Sequence, residues 1–269
     1  MSNSIFEMFK IDKLGKRIFV RFLFVLLVAA NLFIIFHPIG DSNFDAYIAF
    51  MNKLSQNPEM IESLNYNDIP LTSGNIKFIA SALAVFLAEL ASCWLYTGLF
   101  IREYRIRKGL TNAISIPKLI FRLIVLTITF VFLITIFSVF VLYLGLIFII
   151  IFPYLAMFPA CYLSGDKNLI GSFKGMIKVS QGYYMINSRN ISIIVCCYLL
   201  CDLVLMILGN INPAARASMV PIVNVFILMS LGRYIGMIYP RMLRYPGGIR
   251  IIVTQQIDND VSDSDEEQN

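Results

Sequence analysis

Residues 123–163 read LIVLTITFVFLITIFSVFVLYLGLIFIIIFPYLAMFPACYL, 41 consecutive positions without a charged side chain. A helix crosses ~30 Å of hydrocarbon in ~20 apolar residues at ~1.5 Å each. The run is therefore long enough to cross twice. Tyr143-Leu144-Gly145 offers a turn, which predicts a helical hairpin of two spans, 123–142 and 145–163. Pro153 and Pro159 are expected to bend the second of them.

Four further apolar runs flank the hairpin, at 18–36, 78–101, 191–208 and 218–239. The whole chain of 269 residues is 58% hydrophobic and only 14% charged, with a mean hydropathy of +0.74. Soluble domains carry about a quarter charged residues. This composition excludes a soluble enzyme, a secreted disulfide scaffold and a free nucleic-acid binder. The fold class expected is all-α, a polytopic membrane bundle of six transmembrane helices within residues 1–245. Residues 246–269 follow as an acidic tail ending in Asp258, Asp260, Asp263, Asp265, Glu266 and Glu267, read as cytoplasmic and disordered.

The net charge of +5 is informative through its distribution. With six spans and the N-terminus inside, 18 of the 22 basic residues fall in inner segments. Only Lys53, Lys77 and Arg216 fall outside, and Arg233 lies within a span. A single crossing by residues 123–163 would erase most of that asymmetry, so the positive-inside rule favours the hairpin and places both termini in the cytoplasm. Loop 37–77 is then external and net acidic, with room for short helices on either side of Pro58. Two inner segments mix apolar and basic residues at helical spacing and predict interfacial amphipathic helices. The first lies within residues 1–17. The second lies within 164–190, with Leu169, Phe173, Met176 and Ile177 as its apolar stripe and Asp166 as its cap.

Three residues stand out as candidate intramembrane polar sites: Glu89, Asp202 and Arg233. Each carboxylate lies about eleven residues into its span, roughly 16 Å deep, where an unpaired charge costs several kcal/mol. They read either as an ion or proton pathway or as structural pairs between helices. Arg102, Arg105, Arg107, Lys108, Lys174 and Lys178 are candidate contacts for anionic lipid, or simply topology determinants. Cys197 and Cys201 share a helical face with Cys196 adjacent, but no C-x-x-C pair or nearby His completes a metal site, so neither metal nor cofactor is expected. Cys161 is a conceivable acylation site. Gly171, Gly175 and Gly182 resemble a small-residue packing face. No H-E-x-x-H, G-x-S-x-G or nucleotide-binding loop occurs, so no catalytic site is expected.

The order of features from Gly145 through Pro153-Tyr-Leu-Ala-Met-Phe-Pro159 and Asp166-Lys167 to Ser172 and Ser180 has a counterpart elsewhere. Together with Ile116-Pro117-Lys118-Leu119, it resembles the glycerophosphoryl diester phosphodiesterase membrane-domain type and related six-span bacterial inner-membrane proteins. The resemblance implies a plasma (inner) membrane location and an accessory role in the envelope. Nothing in the chain reads as the soluble phosphodiesterase domain sometimes fused to that family, so its activity is not expected here. The partners expected are the lipid bilayer, with anionic lipids, and other membrane proteins; nucleic acid is excluded. The alternative is a transporter or permease component for a small solute, ion or lipid, using Glu89 or Asp202 at the midplane.

Overall fold

The computed structural model describes residues 6–11, 17–37, 39–57, 59, 64–65, 68–110 and 112–244. Of the side chains within these ranges, that of residue 17 and those of 134–149 are not described. The elements are α1 (Arg17–Phe36), α2 (Asp45–Gln56), α3 (Ser73–Arg107) and α4 (Ile116–Leu155), followed by α5 (Phe158–Leu163), α6 (Leu169–Ser180), α7 (Tyr184–Ile211) and α8 (Pro213–Arg244). No strand occurs among the described residues. Among the described residues five helical stretches are long and apolar enough to cross a bilayer: Ile18–Phe36, Ser73–Arg107, Ile116–Leu133, Tyr184–Ile211 and Pro213–Arg244. A shorter apolar stretch covers Ile150–Leu163. The expected acidic tail lies outside the described residues.

The core is the contact of α3 with α8, flanked by α1 on one side and by α7 on the other face of α8. Small residues bring α3 and α8 together. A Cβ on Gly232 would stand 2.6 Å from the carbonyl oxygen of Cys93, and one on Gly236 3.0 Å from the Cβ of Phe100. The Thr97 hydroxyl donates across this contact to the Gly232 carbonyl at 3.0 Å. Gly232-x-x-x-Gly236 is thus the small-xxx-small face that lets two membrane helices approach closely. The expected face at Gly171, Gly175 and Gly182 is not one. Gly175 is covered by the Lys167 side chain, Gly171 abuts its own cap Asn168, and Gly182 turns the chain with φ +83° between α6 and α7.

No break in the helix marks the predicted turn at Tyr143-Leu144-Gly145, since helical structure runs through Ile116–Leu155. One glycine costs a helix only about 1 kcal/mol, and the residues around this one are apolar and helix-compatible. The chain leaves the helix at Ala156–Met157, just after Pro153, and restarts with Pro159 in the first turn of α5. Yet α4 is not straight. At ~1.5 Å per residue a straight helix would set Leu155 ~50 Å from Arg122. Instead Arg122 donates to the carbonyls of Tyr162 and, at 2.8 Å, Lys167, with its guanidinium 4.9 Å from the Tyr162 ring centroid. Phe130 still tracks α3, meeting Trp94 edge-on at 5.1 Å. Ile150 has already reached the start of α7, where its carbonyl accepts from Tyr184 at 3.1 Å. The path therefore reverses between Phe130 and Ile150.

Two further expectations change. The described part of the N-terminal segment is not a surface helix: Met8 is fully buried among residues of α3, α7 and α8, and Phe9 stacks on Phe226 at 6.2 Å. Helix α6 forms where predicted, but Asn168 caps it through the Gly171 N–H at 2.8 Å, because Asp166 is already engaged by Arg105. Its buried side is Ser172, Gly175, Met176 and Ser180, while Phe173 and Ile177 face outward.

Candidate functional site

The intramembrane polar residues are positioned by three different helices and are not brought together. Glu89, on α3, is 6% exposed and accepts from the Asn31 side-chain amide of α1. Asn31 also donates to the Leu27 carbonyl of its own helix at 3.0 Å, which fixes the amide toward Glu89. The carboxylate is thereby an acceptor in a tie between α1 and α3.

Arg233, on α8, is 3% exposed. Its Nε donates to the Glu7 carbonyl, one Nη lies 3.4 Å from the Glu7 carboxylate, and the other donates to the Tyr96 hydroxyl at 3.2 Å. The guanidinium also sits 5.5 Å from the Phe100 ring centroid, a cation–π distance. Tyr96 in turn donates to the Ile11 carbonyl at 2.7 Å. Arg233 and Tyr96 thus clamp the N-terminal segment across α3 and α8. Asp202, on α7, is half-buried and makes no hydrogen bond or ion pair among the described residues.

The basic connector resolves into two groups. Arg102 donates to the Ile114 carbonyl at 3.0 Å, and Arg107 pairs with Glu103 one turn away. Arg105 is buried; it takes both oxygens of Asp166 and donates to the carbonyls of Asn112 at 3.1 Å and Ser164 at 2.9 Å. Expected as lipid contacts, Arg102 and Arg105 are instead turned inward, onto the carbonyls of Asn112 and Ile114 in the connector after α3 and of Ser164 just past α5. Lys108, Lys174 and Lys178 are exposed. The inward arginines leave a pocket of about 360 Å³ lined by residues 112–115, Lys118 and residues 164–166.

The sequence reading missed a polar cluster between α7 and α8. Tyr234 donates to the Asn187 amide oxygen at 2.8 Å, and the Asn190 amide lies 3.4 Å from the same hydroxyl. The other amide atom of each asparagine is buried without a partner. Their spacing, 187 and 190 with a helical period, was the available signal. Cys161 and Cys93 are buried in apolar surroundings, whereas Cys196 and Cys201 are exposed on α7. Among the described residues no cluster of three or more His, Cys, Asp or Glu side chains has the geometry of a metal site.

The class these features define, among the described residues, is an all-helical bundle with several helices long and apolar enough to cross a membrane. No family model, no curated protein and no solved structure matches the chain.

Proposed function

We propose that the protein is a non-enzymatic, six-crossing integral membrane protein of a plasma (inner) membrane, acting as an accessory, partner-binding component of the envelope. The observation that carries this reading is the use made of the buried charges. Glu89 is held by Asn31 and Arg233 by Glu7 and Tyr96, so both serve to tie helices rather than to line a path. Six crossings with both termini cytoplasmic are supported by the return of Tyr162 and Lys167 to Arg122, together with the 18-to-3 division of basic residues. Lys174 and Lys178 would then lie where anionic headgroups reach them. The resemblance to the glycerophosphoryl diester phosphodiesterase membrane-domain type implies a similar supporting role. Affinity purification from gently solubilised membranes tests the reading: a stable second membrane protein is expected, and recovery of this chain alone would overturn it.

One observation favours a second reading, a transporter or permease component: Glu89 is an acid buried between two spans. Solute flux abolished by Glu89→Gln, which keeps the shape and the Asn31 contact, would select it.

A further inference from the structure

Of Glu89, Arg233 and Asp202, only Asp202 is left without a partner from this chain's described residues. It lies nine residues from the Ile211 end of α7, ~14 Å along the helix, about half the depth of the hydrocarbon. An aspartate stem is too short to carry its carboxylate back to the headgroups from there, as a lysine or arginine would. An ionised carboxylate at that depth needs a counter-charge.

The surroundings of Asp202 say where that counter-charge comes from. The buried side of α7 is marked by Ile191, Ile194 and Leu205, and Asp202 sits roughly 50° around the helix from it. On its outer flank, Val195, Leu199 and Met206 are 45%, 57% and 50% exposed. With Asp202 these residues are spaced four, three and four apart, the seam of a helix that packs knobs into holes against another helix. A polar residue within such a seam selects the partner and fixes its register. A second copy of this chain fits poorly. Two copies share one orientation in the bilayer, so a two-fold pairing along this seam would set Asp202 against Asp202, and adjacent carboxylates cannot both ionise.

We propose that the Val195-Leu199-Asp202-Met206 seam of α7 docks one transmembrane helix of a different membrane protein, which carries an arginine or lysine at the depth of Asp202. The proposal rests on the partner-binding reading above and gives its partner a chemistry.

The test uses the full chain in its native membrane, with a photo-crosslinking amino acid at Leu199 or Met206 and, as the control on the opposite face, at Val204. Expected are adducts from Leu199 and Met206 to one membrane protein with a basic residue inside a span, and none from Val204. Asp202→Leu should reduce the adduct at least about fivefold, the scale of a polar contact between membrane helices. Asp202→Asn, which keeps a hydrogen-bonding side chain, should reduce it less. Because Asp202 ties nothing among the described residues, both variants should keep the wild-type melting temperature.

A purified counterpart uses vesicles holding the protein and a synthetic leucine-rich transmembrane peptide with one central arginine. Energy transfer should report association about fivefold stronger than with the all-leucine peptide, and the difference should vanish in Asp202→Leu. Adducts between two copies of this chain, adducts to lipid alone, adducts indifferent to Asp202→Leu, or equal association of the two peptides would each overturn the proposal. If gentle purification of Asp202→Leu recovers as much of the partner as the wild type does, the seam is wrong and the partner-binding reading stands. If the wild type is recovered alone, both fall.

Discussion

Arg105 closes one end of the bundle by holding both oxygens of Asp166 while donating to two loop carbonyls. Removing it leaves those acceptors without a donor, so Arg105→Ala should cost about 2–3 kcal/mol in a reversible unfolding titration in detergent. Arg105→Lys should restore only part of this, because an ammonium cannot match the two-oxygen geometry. At Glu89 the contrast lies between partners. Glu89→Gln should stay within about 1 kcal/mol of wild type, whereas Asn31→Leu strands the acid and should lower stability by about 1–2 kcal/mol in the same assay. The positions of Glu89 and Arg233 were legible, because a charge within an apolar run is conspicuous. Their partners were not. Asn31 is an unremarkable amide 58 residues away, and Glu7 sits in a basic stretch 226 residues from Arg233.

Among the elements, the α3–α8 contact depends on one missing side chain. At Gly232 a methyl group would meet the backbone of Cys93, which cannot give way, so Gly232→Val should abolish recovery of folded monomer by size-exclusion chromatography. Gly98→Ala crowds the far end of the Leu119 side chain at 2.6 Å and meets the Cβ of Leu163 at an ordinary 3.5 Å, and should lower the melting temperature by a few degrees at most. Gly40, held at φ +99° beneath the backbone of Gly74, belongs with the intolerant class. Element existence was legible from apolar run length, and the caps at Thr72 and Asn168 follow ordinary side-chain chemistry. The path of α4 was half legible. Its length implied a reversal, and Tyr143-Leu144-Gly145 lies within the stretch that reverses, but one glycine does not break a helix and the helix end falls at Ala156 instead. The Gly232-x-x-x-Gly236 contact was hidden because glycine spacing gains meaning only once a second helix is known to lie against it.

At the scale of the molecule, the return of the chain to Arg122 places the 108–118 connector and the start of α6 at one end. A membrane-impermeant amine reagent applied to sealed vesicles should therefore modify Lys108 and Lys174 from the same side and Lys53 from the opposite side. Modification of Lys108 and Lys174 from opposite sides would mean an odd number of crossings between them. The clamp on the N-terminal segment has a different consequence, one of timing. Arg233 and Glu7 meet across 226 residues of chain, so a ribosome working at about 5–20 residues per second makes them roughly 10–45 s apart. Residues 6–11 must wait, exposed, while every intervening helix is inserted, and they can seat only after α8 has arrived. These residues, made before α1 to α8, are thus fixed only once α8 is in place. Whatever occupies the cleft between α3 and α8 in that interval, whether lipid, chaperone or a fused tag, competes directly with completion of the fold.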